Sequence, residues 1–238
     1  ELLVGISSLN RDIHIAGGIA DSNSKHKDFT HNTNCLSYVF NEDKIFEDGV
    51  VGACLYGENL FVNSVSNCSW LPIGKEHIVT EAKDNYVISI DNTPAVEFYS
   101  NYLGKENLDL IYTIENQFPL MVNINGEYLS IPIKNIKDNY IEASTKIHIG
   151  TKIKLGYGNI NHILESTKDK MFETSSLPVE TIFVYSCVGR QLFLNNLVDH
   201  ELKPLSKALN INGFFARGEF LYKNSHSNFV SHTATVLC

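Results

Sequence analysis

The sequence predicts a mixed fold, α/β in the broad sense and α+β in detail: two related lobes, each a mixed, largely antiparallel sheet flanked by helices. Three observations point there. Short apolar, β-branched runs alternate with polar turns through residues 35–90 and again through 118–155, which is the pattern of antiparallel meanders. Helical stretches are few and cluster toward the C-terminal end. A helix-then-strand unit also occurs twice. Leu2 to Leu9 lead into Ile13–Ala20, and Leu197 to Leu209 lead into Ile211–Ala216, with Gly and Ala at both strand ends. The second copy follows the strand Thr181–Ser186. The first has no such strand before it, so the chain is expected to start inside the first lobe.

Taken in order, residues 1–10 carry apolar positions at helical spacing, and His14–Ala20 reads as a short strand. Residues 21–34 are rich in Ser, Asn, His and Lys and read as a loop. Strands are expected over Cys35–Phe40, Gly49–Tyr56, Leu60–Ser66, His77–Ala82 and Tyr86–Ile90. Asp91-Asn-Thr-Pro-Ala95 is a helix start, with Asn92 or Thr93 as cap and Pro94 at the first position, and the helix runs to Gly104. The second meander comprises Phe118–Ile124, an Asn125-Gly126 hairpin turn, Tyr128–Ile133, Tyr140–Ser144 and Lys146–Leu155. Residues 159–173 are helical. Thr181–Ser186 is nearly all apolar and so is expected to be buried on both faces. Two helical stretches follow, near 190–198 and 200–209, and Pro204 divides the second.

A chain of 238 residues with 43% hydrophobic residues buries a sizeable core. The net charge of -8 and the lack of any Lys/Arg run exclude a dedicated nucleic-acid binder. No apolar run approaches the ~20 residues that span a bilayer, and no basic-then-apolar leader opens the chain. Five scattered cysteines without a Cys-x-x-Cys pair argue against a disulfide framework or a thiolate zinc site. Reduced thiols, and hence a cytoplasmic setting, are expected. The chain holds only three arginines, and two of them, Arg190 and Arg217, lie in the C-terminal stretch.

That stretch supplies the candidate site. Strand Thr181–Ser186 runs into Cys187, Gly189 and Arg190; strand Ile211–Ala216, with Phe215, ends at Gly218 and Glu219; a last strand carries His232. If the strands share a sheet, these corners meet around one hollow, and the ligand-binding set is Ser186, Cys187, Gly189, Arg190, Phe215, Gly218, Glu219 and His232, joined from the first copy by Gly18 and Asp21. Arg190 at a helix start favours an anion, above all a carboxylate; its alternative role is a salt bridge to Glu219. Glu219 would accept from a ligand ammonium and, with Arg190, clamp a zwitterion. Cys187 is either a thiolate lowered by the helix start and the arginine or a small buried hydrophobe. His232 is either a structural histidine or the base for Cys187. Asp21 is either a loop cap or a ligand contact, and Trp70 either a pocket wall or core. No metal-ligand spacing, Gly-rich phosphate loop or nucleophile elbow is present.

Several segments taken together resemble a known family. They are Ala16-Gly-Gly-Ile-Ala-Asp21, Asp48-Gly-Val-Val-Gly52, Trp70-Leu-Pro-Ile-Gly74, Val79-Thr80, Thr93-Pro-Ala95 and Phe98-Tyr-Ser-Asn-Tyr-Leu-Gly104, then Phe118-Pro-Leu120, Ser186-Cys-Val-Gly-Arg190, Gly213-Phe-Phe215, Gly218-Glu219 and His232-Thr-Ala-Thr-Val-Leu237. In that order they are similar to the FIST domain. Residues 1–95 resemble the end of its N-terminal region and 96–238 its C-terminal region. Arg217 stands where the family usually has an aromatic residue before Gly-Glu, and Val230-Ser231 where it has a histidine or asparagine.

The resemblance implies a small-ligand-binding sensory domain of a bacterial signal-transduction protein, with ligands such as amino acids. It implies an output partner of the chemoreceptor, histidine kinase or diguanylate cyclase type, and no nucleic-acid or membrane partner. No enzymatic activity and no cofactor are expected. The alternatives are a haem-binding nitric-oxide sensor, with one of the nine histidines as axial ligand, a Cys187-dependent enzyme, and an interaction scaffold. Ligand binding would act by biasing one arrangement of the lobes over another.

Overall fold

The computed structural model of the chain describes residue 5 and residues 13–20, 37–112, 117–124, 126–137, 139–175, 179–207, 210–223 and 226–238. The expected N-terminal helix, the loop at 21–34 and Asp21 fall outside the described residues, apart from helical Gly5. The rest is a mixed α+β fold of open sheets flanked by helices.

The first expected meander divides. Cys35–Phe40 leaves, among the described residues, only the hairpin β2 (Val39–Phe40) with β3 (Ile45–Phe46), and Leu60–Ser66 becomes β4 (Ser64–Cys68) of another sheet. The last strands of the first meander join the second meander in one antiparallel sheet. Its strands are β5 (Leu71–Lys83), β6 (Tyr86–Ile90), β7 (Thr93–Pro94), β8 (Leu120–Ile124), β9 (Glu127–Ile131), β10 (Ile133–Lys137), β11 (Tyr140–Ala143) and β12 (Lys152–Tyr157). The order is β10-β11-β6-β5-β12-β8-β9, with β7 added on β6. The long strand β5 pairs β12 along its first part and β6 along its second. Helix α1 (Ala95–Leu103) packs on this sheet, and Val79, Val87, Ile90, Phe98, Tyr99, Ile141, Ile153 and Leu155 close the largest core between them.

The C-terminal part is built differently. Strands β14 (Asn210–Ala216), β13 (Thr181–Cys187), β17 (Thr233–Leu237) and β4 (Ser64–Cys68) form a four-stranded sheet in that order, with β13 and β14 parallel and the rest antiparallel. A separate antiparallel sheet consists of β1 (Ile15–Gly18), β15 (Glu219–Lys223) and β16 (His226–Val230). Helix α2 (Ile160–Ser175) and the short helices α3 (Val188–Leu194) and α4 (Val198–Leu202) complete this part. Ile182, Val184, Ala234 and Val236 meet Leu205 in one core cluster. Trp70, Met121, Ile163 and Leu194 form another, which joins the large sheet to the helices.

Several expectations need correction. Gly49–Tyr56 forms no strand; its apolar residues lie open, Tyr56 at 91% exposure, because no described neighbour offers the backbone a ladder. The predicted cap at Asn92 or Thr93 is a hairpin instead. Ile90 pairs Thr93 across a two-residue turn in which Asp91 (φ 50°) and Asn92 (φ 63°) are both left-handed, and α1 begins after Pro94 without a side-chain cap. Lys146–Leu155 starts as a turn and becomes strand only at Lys152. Strand β13 alternates in burial, so one face rather than both is fully covered. The second C-terminal helical stretch ends in a 3-10 turn over Lys203–Lys207, which contains Pro204.

Candidate functional site

The three predicted corners meet, but their side chains are buried and the described cleft lies elsewhere, so among the described residues the expected hollow is not found around them. In the register of the four-stranded sheet, Ser186 lies opposite both Phe215 and Ala234, and Cys187 opposite Ala216. Glu219 opens β15 opposite Gly18 and Val230. The two repeated strand ends lock together: Ile19 N–H donates to Gly218 O (2.9 Å) and Arg217 N–H to Ile19 O (3.1 Å). Gly18 permits this approach, since a Cβ there would collide with the Ala216 side chain. Gly189 sits in the first turn of α3, and Phe215 is only half-buried.

Arg190 is the centre of the junction and is fully buried. Its partner is not Glu219. Its Nε donates to Glu201 Oε1 on α4, itself fully buried. Nη1 donates to the carbonyls of His232 (3.1 Å) and Asn67 (3.4 Å). Nη2 donates to Thr167 Oγ1 (2.6 Å) and Ser69 Oγ (3.3 Å). A guanidinium has only about five N–H bonds, and these five acceptors occupy them. Thr167 Oγ1 in turn donates to Glu201 Oε1 (3.0 Å), and Asn67 Nδ2 to Ser69 Oγ (2.8 Å). The arginine thus ties β4, α2, α4 and the start of β17 to one another.

Around it lie groups with displaced acidities. His232, at φ 58°, stacks on Trp70 (ring centroids 4.5 Å apart, 19° between planes) and shares a 2.7 Å hydrogen bond between Nδ1 and Ser130 Oγ. Burial, assisted by the Arg190 charge, lowers its pKa to about 3, so the imidazole is neutral. Glu219 is fully buried, and its Oε2 accepts from Thr233 Oγ1 (2.7 Å). Burial raises its carboxyl to about 8 against the pull of the Thr233 hydrogen bonds and of Arg190. The Cys187 thiol is pushed up to about 12, first by burial and then by Glu219. Of the two readings of Cys187, the small buried hydrophobe holds and the thiolate does not. Desolvation outweighs the helix start and the arginine, and His232 reaches this thiol through its backbone rather than its ring.

Among the described residues, three buried side-chain oxygens have no protein partner: Ser186 Oγ, Glu219 Oε1 and Glu201 Oε2. Buried polar atoms are almost always satisfied by protein or water, so each keeps unmet hydrogen-bonding capacity: Ser186 can donate or accept, and Glu219 accepts as a carboxylate and can donate as the acid.

Open space lies elsewhere. A cleft of about 360 Å3 opens between β5, the β6–β7 turn and α1, lined by Lys75, His77, Asp91, Phe98, Asn101 and Tyr102 among others. Asp91 Oδ1 accepts from Ile78 N–H (2.9 Å), and Oδ2 lies 2.8 Å from His77 Nδ1. His77 Nε2 lies 3.2 Å from Tyr102 Oη. The Ile78 N–H and the His77 contact hold Asp91 below the ordinary carboxylate range.

Comparison with known families is direct. The FIST N domain matches residues 1–93, and the FIST C domain matches residues 95–221. The chain belongs to the FIST family. FIST domains are sensory domains of signal-transduction proteins that work with small ligands and signalling partners. No curated protein and no solved structure matches the chain significantly. No helix among the described residues is long and apolar enough to cross a membrane. Both FIST regions contribute to the junction: Asn67, Ser69 and Trp70 come from the first, Thr167, Arg190 and Glu201 from the second, while His232 and Thr233 follow the matched segment.

Sequence reasoning missed Glu201, Thr167, Asn67, Ser69 and Ser130. The scarcity of arginine pointed to Arg190, but nothing local names partners 11 to 123 residues away. It also missed the cleft. Asp91 was read within a helix start, and the signal that could have found it was Asp-Asn between the apolar run Tyr86–Ile90 and Thr-Pro, a two-residue turn pair.

Proposed function

We propose that this FIST domain is the ligand-binding sensor of a cytoplasmic signalling protein, and that its ligand is a small zwitterion, an amino acid being the type, received at the strand-end junction when that buried junction opens to admit it. The observation that carries the reading is Glu219 Oε1, a fully buried carboxyl oxygen without a protein partner. An ammonium group supplies both the missing donor and a positive charge. Ser186 Oγ, buried and equally without a partner, is a second polar atom that a guest's donors would satisfy. A bare carboxylate suits the junction less, because every Arg190 N–H is engaged and a second carboxylate would stand beside Glu219 without a cation to offset it. Arg190 then acts behind the site, holding the three corners in register, while Cys187, Gly189, Phe215, Gly218, Gly18 and His232 shape it. Asp21, outside the described residues, stays in the proposed set on its sequence position alone. No catalytic step is assigned, and output passes to a chemoreceptor, histidine kinase or diguanylate cyclase partner.

The carboxyl at about 8 binds an ammonium only as a carboxylate, so ligand uptake expels a proton and affinity rises as pH goes from 6 to 8. A thermal-shift screen against amino acids tests this, since a ligand at 100 times its Kd stabilises by about 2.7 kcal/mol. Glu219→Gln should abolish the shift. A ligand bound equally well by Glu219→Gln rules the junction out. The same screen includes haem: a Soret band lost on one His→Ala change would install the haem reading instead.

A further inference from the structure

The cleft at the β6–β7 turn is separate from the junction, and its fixed and mobile parts carry opposite charges. The fixed part is acidic and aromatic. Asp91 is held from three sides: the left-handed turn sets its backbone, Ile78 N–H donates to Oδ1, and His77 Nδ1 meets Oδ2. The turn itself is tied down, since Asn92 N–H donates to Thr80 Oγ1 (3.0 Å), which shares a hydrogen bond with Ser89 Oγ. A carboxylate only accepts, so the proton between Asp91 and His77 sits on Nδ1. With that proton on Nδ1, Nε2 is placed to accept from Tyr102 O–H, and Tyr102 Oη keeps acceptor capacity of its own.

The rings are fixed as well. His77 meets Phe98 edge-on (5.0 Å, 88°), and Phe98 packs on Tyr102 (5.3 Å). Tyr102 lies over Gly74, at φ +75°, where any Cβ would strike the phenol. The mobile part is Lys75. Its side chain is 75% exposed, and its ammonium stands 3.9 Å from Asp91 Oδ2, beyond hydrogen-bond distance. A long, solvated lysine at that range contributes little stability. It marks the place where a cation belongs without filling it.

We propose that this cleft is a binding site for a small organic ammonium ion, an alkyl- or arylalkylamine in its protonated form. The ammonium displaces Lys75 and bonds to the Asp91 carboxylate and Tyr102 Oη. The organic tail lies on Ile90 and Phe98, which are 1% and 3% exposed and form the apolar lining. An ammonium held by a carboxylate beside aromatic rings gains both charge pairing and cation–π attraction. The proposal does not depend on the junction reading.

The test is calorimetric titration of the full chain at low salt with 2-phenylethylammonium chloride, with sodium 3-phenylpropanoate as the anion of matched size. The ammonium should bind saturably and the anion should not. Asp91→Asn should weaken binding about tenfold or more, the loss of one charge-assisted bond, while its amide oxygen still accepts from Ile78. Lys75→Met should tighten binding by up to about fivefold, because it removes a competing cation. Glu219→Gln should leave the titration unchanged. An anion that binds as tightly as the ammonium overturns the proposal, as does a Lys75→Met variant that binds no better than the parent. If Asp91→Asn does not fold, the anion comparison and Lys75→Met decide alone.

Discussion

The junction and the cleft are built from the same three ingredients: a basic side chain, a carboxylate and a histidine. In the junction these are Arg190, Glu219 with Glu201, and His232, all buried; in the cleft they are Lys75, Asp91 and His77, with the lysine 75% and the aspartate 39% exposed. Burial decides what the set does. In the junction every arginine donor is spoken for, acidities are displaced toward the neutral forms, and Glu219 and Ser186 keep oxygens without a hydrogen-bond partner. In the cleft the aspartate stays ionised and the lysine remains free to move. The first arrangement fastens elements together; the second leaves a charge on offer to solutes.

Removing Arg190 should have the largest effect. Arg190→Met strands Glu201 and uncouples four elements, and the loss of one partner from a buried pair costs about 3–5 kcal/mol. Urea unfolding measures it. The double variant Arg190→Met with Glu201→Leu should recover part of the loss. A single variant within about 1 kcal/mol of the parent would mean that the junction is as loosely held as the cleft.

Next comes pH. His232, neutral when buried, ionises at about 3 in the fold against 6.5 for the ordinary group, so its contribution is present above 6.5 and lost as pH falls toward 3. Glu219 runs the other way. Its folded value of about 8 exceeds the ordinary 4.5, so stability is complete below 4.5 and lost as pH rises toward 8. The slopes oppose between 4.5 and 6.5, each on the order of 1.4 kcal/mol per pH unit, so stability should be flat there and fall on both sides. Glu219→Gln should remove the alkaline fall, a gain on the order of 3 kcal/mol at pH 7 relative to pH 4. An unchanged alkaline limb would show that Glu219 is solvated after all.

The smallest effects belong to the cleft. Tyr102→Phe keeps the ring and loses one hydrogen bond to His77, for about 1 kcal/mol in denaturant unfolding. Lys75→Met should stay within about 0.5 kcal/mol of the parent. A larger loss in either would mark the cleft as structural.

What was legible in the sequence divides along the same line. Alternation and turn chemistry are local, and they located β6, β8, β9, β11 and β13 to within a few residues but only the second half of β5, which begins at Leu71 rather than His77. The convergence of Ser186, Cys187, Arg190, Glu219 and His232 was also readable, because each stands at the end of an apolar strand. Pairing of charges was not: the sequence put only Glu219 forward for Arg190, and the buried partner is Glu201 on α4. Nor was the fate of Gly49–Tyr56, because a strand pattern says nothing of whether a ladder partner exists. Asp91 was hidden by a motif that serves helix starts and tight turns alike.

The large sheet has a mechanical corollary. Strands on both sides of residue 94 interleave: β12, from the FIST C region, lies against β5, and β11 lies against β6. The FIST N strand β4 is likewise laid along β17, near the C-terminal end. The boundary between the two regions is therefore a seam stitched from both sides rather than a hinge. Chains severed there should not make two self-sufficient modules.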